Sequence, residues 1–173
     1  TGHEQLRVSR LAMDVVGSKL DLSQDPKFRE AVAHKIYFSP VYFRKESEPY
    51  MTIALAGSGE DAGVVAAEAN LKLIWDVVAE IRIGETGYAI VVDDSGRLIA
   101  HPDISRVLRG RSGSGDFGRI KHLLGETGSA AVVTGDNSKP VLAFSVHASD
   151  AGWTVIAMQP ALEAFAPIRA AMW

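Results

Sequence analysis

The sequence predicts an α+β fold of two modules, each an antiparallel sheet flanked by helices. Three observations carry this reading. Residues 71–158 follow the order helix, two strands, helix, three strands, and residues 5–69 repeat that order starting partway through it. The segments between strands are rich in Gly, Asp, Asn and Ser, residues that supply tight-turn chemistry. At 173 residues and 47% hydrophobic, the chain is long enough for one ordinary core or two small ones.

The later part is the clearer. Leu71, Ile74, Trp75, Val78 and Ile81 recur at helical spacing with Lys72, Asp76 and Glu80 between them, which predicts a helix. Residues 88–93 are β-rich, Asp94-Ser95-Gly96 turns the chain, and residues 97–101 return as a hairpin partner. Phe117, Ile120 and Leu124 share one face of a short helix, with Asp116 or Ser114 as its N-cap and Gly125 as its stop. Strands are predicted over 130–134, 141–147 and 153–158, joined by turns at 135–138 and 149–152. The tail, 161–173, is Ala-rich and helical in character, with Pro160 at its start and Pro167 placed to bend or end it.

In the earlier part, residues 5–10 alternate as a strand, Pro26–His34 suits a short helix, and 35–44, 49–56 and 63–69 are three further strands. Thr1-Gly2-His3 stands where the later repeat has Asp94-Ser95-Gly96. On this reading the opening helix and first strand of the first module fall upstream of Thr1, and an incomplete first sheet is expected.

Composition removes several function classes. The net charge of −3, from 18 basic and 21 acidic residues intermingled along the chain, provides no basic stripe to neutralise phosphates, so nucleic acid is not an expected partner. The absence of cysteine excludes disulfides, thiolate metal sites and a cysteine nucleophile. No run approaches the ~18–20 consecutive apolar residues that cross a bilayer. No cofactor is expected.

The segments "YFSPVYFRKESEPYMTIAL" (residues 37–55), "GVVAAEANLKLIWDVVAEIRIGETGYAIVVDDSGRLIAHPD" (63–103) and the following "ISRVLRG" resemble the double Cache sensor domain of bacterial transmembrane receptors, most of all the versions on histidine kinases. The resemblance implies two PAS-like modules outside the cytoplasm: a membrane-distal one over 1–70, a membrane-proximal one over 71–160, and a connector helix over 161–173 leading to a transmembrane segment. It implies a periplasmic location, membrane contact only through flanking helices absent from this chain, homodimerisation of the full-length receptor, and a small-molecule ligand in the distal pocket.

In relatives that bind amino acids, an Arg, a Trp and an aromatic precede a small helical turn. The stretch resembling this pattern is "SQDPKFREA" (residues 23–31), which puts Asp25 at the Arg position, Lys27 at the Trp position and Phe28 at the aromatic. Asp25 cannot clamp a carboxylate as a guanidinium does, so the resemblance does not carry an α-amino-acid ligand with it. Lys27 and Arg44 are the cations available for an anion. Glu68 falls where those relatives place the acid that meets a ligand's amino group. The bland alternative for Glu68 is a solvated or salt-bridged strand residue. Tyr37, Tyr42 and Tyr50, with Phe38 and Phe43, concentrate aromatics in neighbouring strands, and tyrosine supplies both a ring and a hydroxyl to a pocket. Strand alternation allows only part of this set to point inward. Thr52 completes the candidate ligand-binding set.

His101 and Asp103 invite a catalytic or metal-binding reading. They are two residues apart around Pro102, and His3, His34, His122 and His147 form no metal spacing. The local role is favoured: Pro102 ends a strand, Asp103 caps the following turn, and His101 lies near the proximal pocket. The leading functional expectation is therefore a non-catalytic sensor controlling a histidine kinase. The alternatives are the same module on a chemotaxis receptor or diguanylate cyclase, a structural dimerisation module, and, disfavoured, a small hydrolase.

Overall fold

The computed structural model describes residues 2–10, 12–45, 48–59, 62–109, 116–125, 127–135 and 139–170. The chain divides into two compact units, Thr1–Asn70 and Leu71–Trp173.

In the first unit, β1 (Leu6–Arg7) pairs with β2 (Val15–Val16) in a separate antiparallel ribbon. The strand expected over 5–10 is thus cut to two residues and does not join the main sheet. Its end is a turn, where the Asp14 carboxylate accepts the Ser9 N–H. Helix α1 (Pro26–His34) follows, with Pro26 at its start and the Asp25 carboxylate accepting the Lys27 N–H as an N-cap.

The main sheet is organised by β5 (Glu48–Ala56). Along one edge it pairs first with β4 (Tyr42–Arg44) and then with β3 (Ile36–Phe38), and along the other with β6 (Val64–Asn70), always antiparallel. The single strand expected over 35–44 is split at Ser39-Pro40-Val41. Proline has no N–H for the ladder. Ser39 makes the last contacts with β5 before the break: its N–H donates to the Thr52 carbonyl, and its Oγ, in place of a backbone carbonyl, accepts the Thr52 N–H, each at 2.8 Å. Among the described residues, β6 is paired on its β5 side alone.

The second unit begins with α2 (Lys72–Glu80), which buries Trp75 and Val78; the Trp75 indole N–H donates to the Ile99 carbonyl at 2.7 Å. A five-stranded antiparallel sheet has the order β8–β7–β11–β10–β9, formed by β7 (Tyr88–Asp93), β8 (Leu98–Ala100), β9 (Thr127–Thr134), β10 (Pro140–Ala148) and β11 (Trp153–Pro160). Its inner face stacks Ile90 against Ile156 and Val92 against Thr154, all fully buried. Helices α3 (Ile104–Arg109) and α4 (Asp116–Leu124) bring Val107, Phe117, Ile120 and Leu124 into this core. Of the two N-caps considered for α4, Ser114 lies outside the described residues. The β7–β8 turn is fastened by Asp93, whose carboxylate accepts the Arg97 N–H at 2.9 Å, and by Lys121 bonding Asp94 at 2.8 Å.

The tail breaks at Phe165, two residues before Pro167. Helix α5 (Ala161–Ala164) stops at Phe165 and α6 (Ala166–Ala170) restarts with Pro167 in its first turn. A proline ring clashes with the carbonyl four residues back, so the chain breaks ahead of it and tolerates it at the start of the next helix. Glu163 on α5 is held firmly: its carboxylate accepts from the Glu85 N–H at 2.5 Å, the Thr86 hydroxyl at 2.7 Å and the Gln159 amide at 2.9 Å. This clasp requires a glycine beside it. Gly84 has φ +63°, and a Cβ there would lie 2.2 Å from both Gln159 Nε2 and Glu163 Oε1.

Two predictions follow from these contacts. Gly96 has φ +79°, and its Cβ would meet the Gly118 Cα at 2.5 Å, whereas a Cβ on Gly118 would sit 3.4 Å from Gly96. Gly96→Ala should therefore cost about 1–3 kcal/mol, while Gly118→Ala, inside α4, should be neutral or stabilising by up to roughly 1 kcal/mol. Urea denaturation of the pair checks the asymmetry. The Thr86, Gln159 and Glu85 donors lower the Glu163 pKa to about 2, below its ordinary carboxylate value. A depressed carboxylate stabilises the fold above its unfolded pKa and loses that contribution as pH falls toward 2. Acid unfolding monitored by circular dichroism should accordingly start at higher pH in Glu163→Gln than in the parent.

Candidate ligand-binding face of the first unit

Register puts the candidate residues on one face. Tyr37 lies opposite Ala54, Tyr42 opposite Tyr50, Tyr50 opposite Asn70, and Thr52 opposite Glu68. Because side chains alternate along a strand, Tyr37, Tyr42, Arg44, Tyr50, Thr52, Ala54, Glu68 and Asn70 all project to the same side. Phe38, opposite Ile53, and Phe43, opposite Pro49, project to the other.

Helix α1 covers one end of that face. It packs on β3 and β5 and reaches β6, and Ala54 beneath it is fully buried, as is Ala31 on the helix. The Tyr37 hydroxyl stands on this side too: burial, then the carboxylates of Glu30 and Asp25, raise its pKa. Lys27 and Phe28, on the first turns of α1, are half-buried. Lys27 pairs with Asp25 at 3.6 Å, an ordinary contact within the helix cap.

The other end of the face holds the connected part of the site. The Tyr42 and Tyr50 rings stack, 6.3 Å between centroids and 22° from parallel. The Tyr42 hydroxyl donates to Glu68 Oε1 at 3.1 Å and lies 3.5 Å from the Thr52 hydroxyl. Arg44 Nη2 donates to Glu68 Oε2, and its guanidinium carbon sits 4.8 Å from the Tyr50 centroid and 6.0 Å from that of Tyr42. Burial chiefly, and the nearby Glu68 carboxylate, raise the Tyr42 pKa, so this phenol stays protonated as a donor. The hydrogen bond from Arg44 to Glu68 raises the arginine pKa, fixing its charge.

Of the eight candidates, the structure joins Tyr42, Arg44, Tyr50, Thr52 and Glu68 in one network. It places Tyr37 on the same face toward α1 and keeps Lys27 and Phe28 on the helix. Asn70, which donates to the Tyr50 hydroxyl at 3.1 Å, was missed in the sequence. The expected strand stopped at residue 69; the observed one runs a residue further and so puts Asn70, two positions after Glu68, on the same face. The set offers aromatic surface, one carboxylate, one guanidinium and hydroxyls, which suits a small polar molecule. Among the described residues, no group of three or more His, Asp or Glu is placed to hold a metal.

His101 and Asp103 belong to the second unit's scaffold. His101 Nδ1 accepts the Asp103 N–H at 2.8 Å, and its ring sits edge-on to Tyr88 and tilted against Phe117. Asp103 Oδ1 accepts the Ser105 N–H at 3.0 Å and its hydroxyl at 2.6 Å, capping the start of α3. These bonds, led by the Ser105 hydroxyl, lower the Asp103 pKa.

This architecture, antiparallel sheets flanked by short helices, is shared with an extracellular domain of solved structure. The profile of the Cache domain family (dCache_1) matches residues 8–168, and the chain belongs to that family. Solved structures agree with the fold. The extracellular domain mmHK1S-Z2, assigned to a histidine kinase, superposes with a TM-score of 0.68 at 19% identity, covering 88% of this chain and 61% of that one. The ligand-binding domain of Mlp24 with asparagine gives 0.61 at 15% identity, covering 95% and 70%. The ligand-binding domain of the Campylobacter jejuni chemoreceptor Tlp3 in complex with 4-methylisoleucine gives 0.66 at 14%, covering 93% and 62%. The chain thus spans about three fifths of the length of the mmHK1S-Z2 extracellular domain it matches. Among the described residues, no helix is long and apolar enough to cross a membrane.

The Arg44 and Glu68 side chains are 37% and 50% exposed, and an ion pair this open contributes about 0–1 kcal/mol. Glu68→Gln should therefore lower stability by no more than roughly 1 kcal/mol in urea denaturation. A larger loss would mean that Glu68 is mainly a structural residue.

Proposed function

We propose that the chain is the extracytoplasmic sensor region of a transmembrane histidine kinase, binding a small molecule on the face formed by Tyr42, Tyr50, Thr52 and Glu68. The observation that carries this reading is the convergence of those side chains, with Arg44, on the side of the sheet that α1 partly covers. In this proposal residues 1–70 form the membrane-distal module and 71–160 the membrane-proximal one. Residues 161–173 are the connector toward a transmembrane helix, and the full-length receptor is a homodimer in a bacterial inner membrane. Tyr37, Phe28 and Lys27 line the edge of the site nearer α1. Ligand binding at the distal face biases an equilibrium between two arrangements of the receptor, and the terminal helix passes the change on.

A chemotaxis receptor is the second reading, favoured by the likeness to the ligand-binding domain of the chemoreceptor Tlp3. The two readings share the site and differ in the output domain that follows Trp173.

The test is a thermal-shift screen across metabolite classes followed by calorimetry. A true ligand stabilises the folded state as RT ln(1 + [L]/Kd), about 2.7 kcal/mol at a hundredfold excess over Kd. Glu68→Gln and Tyr50→Ala should remain folded and weaken that ligand by tenfold or more. A ligand whose affinity ignores both substitutions would move the site elsewhere, and a screen without any stabilising compound would favour the purely structural module.

A further inference from the structure

The Arg44 guanidinium occupies a position with a recognisable chemical complement. Two near-parallel tyrosine rings and a carboxylate surround it: Tyr50 at 4.8 Å, Tyr42 at 6.0 Å, and Glu68 in direct contact. Aromatic faces attract a cation through their quadrupole, and a carboxylate neutralises it, which together form the usual recognition set for organic cations. Here the cation in place is the protein's own.

The surroundings fit a removable occupant. Arg44 is the last residue of β4, which has three residues and, among the described residues, pairs with residues 48–50, and Lys45 beside it has φ +46°. The arginine side chain is 37% exposed, so it can swing into solvent without unpacking a core. The two rings have hydrogen-bond partners other than Arg44. Tyr50 is fixed through its hydroxyl by Asn70, and Tyr42 by Glu68 with Thr52 beside it.

We propose that Arg44 is an internal occupant of a cation site, and that the ligand is a small organic cation with a quaternary ammonium or guanidinium head that displaces Arg44 from Tyr50 and Glu68. This rests on the sensor reading above and names the ligand class for that site. It makes a prediction of opposite sign to the other use of the same residues. If Arg44 held an anionic or zwitterionic ligand, removing it would weaken binding; if Arg44 competes with a cation, removing it strengthens binding.

The experiment is calorimetric titration of this chain with tetramethylammonium chloride and with methylguanidinium chloride at constant ionic strength. Arg44→Ala should bind at least one of the two tenfold or more tightly than the parent. The double variant Arg44→Ala, Tyr50→Leu carries the same charge and should lose that gain, which separates a cage from general electrostatics. Arg44→Gln serves in place of Arg44→Ala if circular dichroism shows the alanine variant misfolded. Unchanged or weaker cation binding on loss of Arg44, or a gain that survives loss of Tyr50, overturns the proposal. If another ligand class binds and is weakened by both Glu68→Gln and Arg44→Ala, the cation inference fails while the sensor site stands. If no class binds, the sensor reading itself fails.

Discussion

Strand alternation across β5 is the constraint on which the first unit depends. Its nine residues pair with three other strands, so its parity decides the side of the sheet for every partner. Residues 50, 52 and 54 face α1, and with them go Tyr42 and Tyr37 from one edge and Glu68 and Asn70 from the other. A slip by one residue would exchange this polar aromatic set for Phe43, Met51 and Ala69. The second unit repeats the device with β11, which lies between β7 and β10 and aligns Thr154 with buried Val92, Ile156 with buried Ile90 and Ser145, and Met158 with buried Ala143.

Much of this was legible in the sequence because alternation and turn chemistry are local. The β7–β8 hairpin, α2 and the Asp103 cap were all readable from neighbouring residues. The errors arose where one residue changes what the ladder can do. Pro40 interrupts a run of aromatics and the strand divides there, and only the fold reveals that Ser39 Oγ stands in for a backbone carbonyl as the acceptor of the Thr52 N–H. Residues 5–10 alternate well, but alternation does not supply a partner, and the segment forms a two-residue ribbon strand.

The site divides in the same way. Tyr42, Tyr50, Thr52 and Glu68 were identifiable individually, as aromatics and acids in strands of suitable kind. Their association depends on residues ten to twenty-six positions apart in the chain, which no local pattern reports. Arg44 illustrates the limit: as a sequence feature it is an available cation for an anion, whereas in the fold it is already committed to Glu68 and Tyr50. Asp25, which stands where amino-acid-binding relatives carry an Arg, caps α1 in this fold, which gives an acid at that position a local structural use.

The Glu163 clasp has a mechanical meaning. It joins α5 to Glu85 and Thr86, nearly eighty positions earlier, through one carboxylate that Gln159, four residues before it, also steadies. Those donors act in parallel, so the joint can be loosened in grades. Thr86→Val removes one bond, Gln159→Ala another, and Glu163→Ala all of them. Evolution or an engineer can thus adjust the stiffness between the end of the second unit and the turn after α2 as with a rheostat, leaving the aromatic face of the first unit untouched.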